Sequence, residues 1–97
     1  MIDETNIPRF SRGVRLQHDG VRDQWVVLAP ERAFIPDQTA TEVLRLIDGT
    51  SSIGQIIDGL AGRFNAPREV IAGDVLGMIQ DLSSRRVLRC DSMGTPA

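Results

Sequence analysis

The spacing of apolar residues changes once along this chain, and that change limits the folds it can adopt. Val14 and Leu16 alternate with polar neighbours, which is the two-residue period of a half-buried strand. Beyond Asp37 the apolar residues recur every three or four positions, as they do on one face of a helix. Strands followed by helices are typical of an α+β domain, so we expect that fold class.

The part of the chain before Asp37 predicts three short strands. The first contains Val14 and Leu16, and residues 25–28 are apolar on both faces, which favours a central strand of an antiparallel sheet. Residues 32–35 form the third strand, and Pro36 ends it because proline has no N–H to donate. Three consecutive strands leave residues 32–35 at an edge with unpaired backbone donors and acceptors.

The part after Pro36 predicts three helices, each with a start signal. Asp37 or Thr39 can cap the first, and residues 39–42 fit a capping box. Ser52 and Gln55 form the same pattern before the second, and Pro67 is suited to the first position of the third. The helices are expected to end near residues 47, 64 and 86.

Ninety-seven residues are enough for one compact domain, which we place at residues 13–88. Residues 1–12 are polar and show no periodicity, so we expect a flexible N-terminal arm that is ordered only if something holds it. Residues 89–97 are expected to form a flexible C-terminal tail. The predicted domain is a three-stranded antiparallel sheet followed by three helices, close to a winged helix-turn-helix.

The chain is poor in residues that carry out chemistry. It has one histidine, His18, one cysteine, Cys90, and no lysine. A Cys–His pair would have to join a strand end to the tail, and a structural zinc site needs about four ligands. We therefore expect no catalytic residue, no cofactor and no metal, and we expect a protein that is not an enzyme.

Composition narrows the partners and the location. A net charge of −2 argues weakly against nucleic acid, because domains that bind nucleic acid usually have a basic excess. No apolar run approaches the roughly 20 residues that span a bilayer, and the acidic N-terminus does not resemble a signal peptide. Cys90 cannot form an internal disulfide. We expect a cytoplasmic protein that binds neither nucleic acid nor membrane.

Residues 25–32 read Trp-Val-Val-Leu-Ala-Pro-Glu-Arg. This run, with residues 41–49, 53–64 and 66–69, resembles the pyrroloquinoline quinone biosynthesis protein D family, in which a tryptophan-containing strand leads into Ala-Pro-Glu-Arg. The similarity extends over about residues 7–88.

The resemblance implies a non-catalytic peptide chaperone in pyrroloquinoline quinone biosynthesis. Members of this family bind the precursor peptide of pyrroloquinoline quinone and present it to a radical S-adenosylmethionine enzyme, which joins a glutamate and a tyrosine of that peptide. They belong to the wider group of precursor-peptide recognition domains, which bind their peptides as an added strand on the third strand, in a groove walled by the third helix.

The expected peptide site combines the open strand edge with the third helix. Main-chain bonds at the edge would give affinity, and Pro36 is expected to stop the added strand at Ile35 or sooner. Two arginines are expected to hold acidic groups of the peptide, and Met78 suits an adaptable apolar contact. Core packing is the alternative for each apolar residue, and plain surface exposure for each arginine. The predicted peptide-binding residues are Arg32, Ala33, Phe34, Ile35, Arg68, Ile71, Val75, Met78 and Ile79.

Two alternatives stay open. A winged-helix DNA-binding domain would use the third helix for recognition, with arginines near both of its ends, but Glu69, Asp74 and Asp81 on that helix would face phosphates at a cost. A homodimer could form by strand exchange at the open edge, by swapping of the arm, or by oxidation of Cys90.

Overall fold

The computed structural model describes residues 2–92, where three helices pack with two antiparallel sheets. The α+β class expected from the sequence is confirmed. No helix within this range is both long enough and apolar enough to cross a membrane. The elements, in chain order, are β1 (Asn6–Phe10), β2 (Arg15–Asp19), β3 (Gln24–Ala29), β4 (Arg32–Phe34), α1 (Gln38–Leu44), α2 (Ile53–Phe64), α3 (Arg68–Ser84) and β5 (Leu88–Ser92).

The larger sheet has the order β2-β3-β4, with β3 in the centre. Val27 of β3 lies opposite Leu16 on one side and Phe34 on the other, and it is fully buried. Trp25, on the same face of β3, stacks at a tilt against His18, with the ring centroids 4.9 Å apart. The Arg45 guanidinium lies 5.0 Å from the centroid of the Trp25 ring, so this side chain connects the sheet to the end of α1.

The second sheet, which the sequence analysis did not predict, pairs β1 with β5. The arm was expected to be ordered only if something held it, and β5 does so over residues 6–10. Arg9 also forms an ion pair with Asp91 at 2.6 Å. The predicted tail contributes residues 89–92 to β5, and residues 93–97 lie outside the described part.

The helix starts follow the capping signals in part. Ser52 and Gln55 form the predicted reciprocal capping box at the start of α2. Asp37 caps α1 by accepting from the Ala40 N–H at 2.8 Å, so the cap is Asp37 and not Thr39. α1 is also shorter than predicted, because the chain leaves the helix at Arg45.

The core lies where the three helices meet the inner faces of both sheets. Every helix and both sheets contribute to it, so the domain has a single apolar interior. The buried apolar residues are Val27, Val43, Leu44, Ile53, Ile56, Ile57, Leu60, Val75, Ile79, Leu82, Val87 and Leu88.

The N-terminal segment is also fixed to the helices, through Glu4. Its carbonyl accepts from the Gly54 N–H at 2.9 Å, and its carboxylate accepts from Arg68, which lowers the pKa of Glu4. Arg68 also donates to Asp58. A Cβ at position 54 would lie 3.2 Å from the Glu4 carboxylate and 3.3 Å from its carbonyl oxygen, which gives a reason for glycine inside α2.

The loop before α2 is organised by the carboxylate of Asp48. It accepts from the backbone N–H groups of Thr50 at 2.9 Å and Ser51 at 2.7 Å, and from both hydroxyls. Gly49 has a φ of +81°, which a residue with a side chain rarely adopts. These bonds, led by the one from the Thr50 N–H, lower the pKa of Asp48 from 3.8 to about 2.

We expect Ser52→Ala to lower the free energy of unfolding by about 1 kcal/mol, because the Gln55 N–H loses its acceptor at the start of α2. Urea denaturation followed by circular dichroism measures the change. Ser83→Ala is the matched control, since the Ser83 hydroxyl makes no hydrogen bond within residues 2–92, and it should change stability by less than about 0.5 kcal/mol. Equal effects of the two substitutions would contradict the role of the cap.

The Asp48 carboxylate predicts a pH dependence. Because its pKa is lower in the folded state, it contributes stability above its unfolded value of 3.8, and that contribution is lost as the pH falls towards 2. Asp48→Asn should therefore be less stable than the wild type at neutral pH, with the difference narrowing between about pH 5 and about pH 2. Urea titrations across that range test this, and a difference that stays constant with pH would contradict it.

Candidate functional site

One edge of the larger sheet is formed by β4, which pairs only with β3 among the described strands. The two-residue turn between them makes Ala29 and Arg32 the first hydrogen-bonded pair of the hairpin. Because such pairs alternate with non-bonded pairs in an antiparallel ladder, the N–H and C=O of Ala33 point away from β3. β4 ends at Phe34, so Ile35, which was predicted to belong to the strand, lies just beyond the paired residues.

Pro36 lies two residues beyond the end of β4, and it is buried. The open edge of β4 itself offers the backbone groups of Ala33. That an added strand ends at Ile35 or sooner stays a prediction.

α3 lies beside this edge. At one end an Arg32 Nη2 donates to the carbonyl oxygen of Arg85 at 3.0 Å. At the other end Gln38, just beyond β4, shares the lining of a pocket with Ile71 and Asp74. The segment from Arg32 to Gln38 thus follows α3 from its C-terminal end towards its N-terminal half.

We call the space between residues 32–35 and the α3 residues Ile71, Asp74 and Met78 the β4–α3 groove. Ile71 and Met78 are half-buried and pack against the edge of the core, while Asp74 is exposed. Their spacing of three and four residues puts all three on one side of the helix.

Two predicted contacts on α3 lie deeper than the groove surface. Val75 is 2% exposed and Ile79 is fully buried, so both belong to the core. Ile79 can therefore act in a site only by fixing the position of α3, whereas Val75 also lines the pocket shared by Gln38, Ile71 and Asp74. For these two residues the sequence allowed either peptide binding or core packing, and the structure shows core packing.

The predicted residues on the strand differ in exposure. Arg32 and Ala33 are exposed, and Ile35 is 60% exposed. Phe34 is half-buried and packs against the core, on the same side of β4 as Arg32. Phe34, Ile71 and Met78 all pack against the same core. That the strand residues and α3 together bind one peptide stays a prediction.

Arg68 stands apart from this group. Its guanidinium donates to the carboxylates of both Glu4 and Asp58. A carboxylate of a bound chain would have to displace one of them.

An apolar pocket of about 240 Å³ lies at the end of the groove where α1, α2 and α3 meet. The Phe64 ring lines it and is 49% exposed, with the Arg63 guanidinium 5.5 Å from the ring centroid. Arg63 also forms an ion pair with Glu42 of α1, which lines the same pocket. The complete lining is Gln38, Thr39, Glu42, Val43, Leu60, Phe64, Ile71, Asp74 and Val75.

Phe64 was predicted only as the end of the second helix and was not assigned to a site. The available signal was its position as the last residue of that helix. Asn65 follows in the left-handed conformation, with a φ of 51°. A large apolar side chain at a helix end has no further turn to cover it.

The described residues offer little for catalysis. Within residues 2–92 no three His, Cys, Asp or Glu side chains are grouped as a metal site. His18 lies in β2, with Nε2 3.1 Å from an Asp23 carboxylate oxygen, and Cys90 lies in the other sheet. Burial raises the pKa of the Cys90 thiol, and Asp91 raises it further, which disfavours a thiolate. The arrangement is suited to holding a chain in an open groove.

Comparison with known proteins agrees with this description. A family model described as coenzyme PQQ synthesis protein D (PqqD) matches residues 24–88. The chain is 51% identical over 88 residues to the PqqA binding protein of Gluconobacter oxydans. The aligned region covers 91% of this chain and 92% of that protein.

Two solved structures are similar. One is the solution NMR structure of the PqqD truncation of Methylobacterium extorquens PqqCD, described as a functional and stand-alone RiPP recognition element. It matches with a TM-score of 0.77 at 40% identity, over 92% of this chain and 95% of that one. The crystal structure of PqqD from Xanthomonas campestris matches with a TM-score of 0.57 at 44% identity, over 92% and 99%. The resemblance carried by residues 25–32 is confirmed, and the chain belongs to the coenzyme PQQ synthesis protein D family.

Proposed function

We propose that this protein is a non-catalytic carrier in pyrroloquinoline quinone biosynthesis that binds the PqqA precursor peptide as an added strand on β4. The observation that carries the proposal is the open edge of β4 lying beside the half-buried stripe of α3. The names of its relatives support it, since the Gluconobacter protein is named for binding PqqA and the Methylobacterium domain is described as a recognition element.

The binding mode follows from the backbone of β4. Ala33, and Ile35 just beyond the strand, would exchange hydrogen bonds with every second residue of the peptide, as in other cases of strand addition. Peptide side chains facing α3 would contact Ile71 and Met78, and the flexible thioether of Met78 can adapt to them. Phe34 fixes β4 in place because its side chain packs on the core.

A carrier needs a partner that performs the chemistry. We propose that the bound peptide is presented, in the cytoplasm, to the radical S-adenosylmethionine enzyme of the same pathway. A dimer formed by pairing β4 with β4 of a second copy would use the same backbone groups as the peptide. Peptide binding and that form of dimer would therefore exclude each other.

The DNA-binding alternative has less support. Three helices with antiparallel sheets are compatible with a winged helix-turn-helix likeness, but the arginines needed on α3 are partly engaged. Arg68 pairs with Glu4 and Asp58, and Arg85 lies 3.3 Å from Asp81. A duplex would have to replace these carboxylates with phosphates while Asp74 stayed nearby.

We expect Ala33→Pro to weaken PqqA binding at least about fivefold, because it removes an N–H from the open edge and adds a ring where the new strand would lie. The ladder between β3 and β4 should survive, since that N–H faces away from β3. Isothermal titration calorimetry with the PqqA peptide of Gluconobacter oxydans measures the affinity.

Ala33→Val is the matched control for this substitution. It keeps the N–H at an exposed strand position and should bind within about twofold of the wild type. A proline variant that is folded by circular dichroism and binds as tightly as the wild type would show that β4 does not receive the peptide.

The apolar pocket gives a separate prediction. Phe64→Ala should weaken PqqA binding about fivefold or more, because the pocket loses its largest apolar wall. The loss of stability should be small, about 1 kcal/mol, since the residue is already 49% exposed. Val70→Ala, at a 56% exposed position of α3 outside the pocket, should leave affinity unchanged. Equal affinities of the two variants would remove the apolar pocket from the site.

A further inference from the structure

A second pocket lies near the opposite end of the groove, and its lining is basic. It has a volume of about 440 Å³ and lies between the turn that joins β3 to β4, the segment before β2 and the end of α3. We call it the arginine pocket. Its charged lining residues are Arg12, Glu31, Arg32, Arg85 and Arg86.

The charges of the arginine pocket are not balanced. Asp81 lies 3.3 Å from the guanidinium of Arg85, and Glu31 is the one acid in the lining. Arg12, Arg32 and Arg86 are exposed and have no carboxylate within 4.0 Å among residues 2–92. A chain with a net charge of −2 thus concentrates positive charge at one concave place.

The backbone beneath these arginines is fixed before any ligand binds. The Ser11 N–H donates to the Val87 carbonyl at 3.0 Å, which ties the segment of Arg12 to the end of α3. Arg32 makes its own bond to the Arg85 carbonyl at 3.0 Å. A site whose supports are already in place loses less entropy on binding.

Arg86 has an unusual conformation for a residue of its type. Its φ is +65°, in the left-handed region that glycine adopts most easily. The Val87 N–H nevertheless donates to the Leu82 carbonyl at 2.9 Å, so the turn that ends α3 is well formed. The guanidinium of Arg86 therefore lines the pocket from a backbone position whose conformation favours glycine.

The two ends of the groove therefore differ in chemistry. The apolar pocket carries Phe64 and Ile71 together with Asp74, which has no arginine within 4.0 Å among residues 2–92, while Glu42 of the same lining is paired with Arg63. The other end carries the unpaired guanidinium groups. A peptide that is acidic at one end and apolar at the other would fit in one direction, because the reverse direction would put its carboxylates against that of Asp74.

We propose that the arginine pocket binds carboxylates of the peptide lying on β4 and so sets the direction of the peptide in the groove. This inference rests on the proposed function. Asp74 and Arg85 are eleven residues apart on one helix, roughly 16 Å along its axis. An extended chain covers that distance in about five residues. The preferred ligand is thus a segment with a large apolar residue and a carboxylate about five positions apart.

The test uses the full-length protein with two probes, the PqqA peptide of Gluconobacter oxydans and an acetylated tetraglutamate peptide. The variant is Arg12→Gln with Arg86→Gly, which removes two guanidinium groups and leaves the left-handed turn favoured. Its affinity for the PqqA peptide should fall about tenfold at low salt, and its salt dependence should be weaker than that of the wild type. Arg22→Gln, an exposed arginine in the loop between β2 and β3, is the matched control and should bind as the wild type does.

A nitroxide label placed beside the most acidic segment of the PqqA peptide reports its direction by NMR. We expect it to broaden the amides of Arg12, Arg32 and Arg86, and to spare those of Phe64 and Ile71. Broadening confined to Phe64 and Ile71 would overturn the inference, as would an unchanged affinity of the double variant, while the proposed function would stand in either case.

If the wild type does not bind the PqqA peptide, the proposed function is wrong. The tetraglutamate probe then tests the arginine pocket alone. If tetraglutamate shifts the amide signals around the arginine pocket, and the double variant shows no such shifts, a carboxylate site would still be supported. No shift with tetraglutamate, or tighter binding of a DNA duplex at the same amides, would overturn it.

Discussion

The burial of one face of α3 is the interaction on which the rest of this structure depends. Val75, Ile79 and Leu82 lie within the core, which fixes both the position of the helix and its rotation about its axis. Once that face is buried, Ile71, Asp74 and Met78 have to lie along its flank, because they differ from the buried residues by a fraction of a turn. The groove is therefore a consequence of core packing. Substitutions in the core would therefore disturb the groove through the position of α3.

The first eleven residues and β5 fix the two ends of this helix. Near its start, Arg68 holds Glu4, and through Glu4 it holds the N-terminal segment against α2. Beyond its end, β5 pairs with β1 and brings Ser11 close to Val87. An exposed ion pair contributes little to stability by itself, but here it acts together with a five-residue strand pairing. Closing the ends in this way requires contacts between residues 64 to 86 positions apart, which are set by the complete fold.

Local rules explain what the sequence could and could not predict. The period of the apolar residues and the capping box at Ser52 depend on near neighbours, so the strands β2 to β4, the start of α2 and the open edge were predictable. The pairing of β1 with β5 was not, because neither segment alternates clearly and each is paired only by the other. The burial of Val75 and Ile79 could not be separated from that of Ile71 and Met78, since all four lie on one apolar stripe and its edges are set by tertiary packing. The arginine pocket was missed for a similar reason, because Arg12, Arg32 and Arg86 are far apart in sequence.

The proposed mode of binding has a physical consequence for specificity. Hydrogen bonds to the backbone of β4 would form with almost any extended peptide, and they would form in either direction, so they cannot select a partner. Selection must come from side chains at the ends of the groove, where Phe64 offers apolar contact and the arginines offer charge. Apolar contact discriminates weakly between similar side chains, whereas a carboxylate placed against Asp74 would be repelled. The difference in charge between the two ends of the groove therefore disfavours the reversed orientation of the peptide. The apolar pocket supplies affinity for the peptide in the favoured orientation.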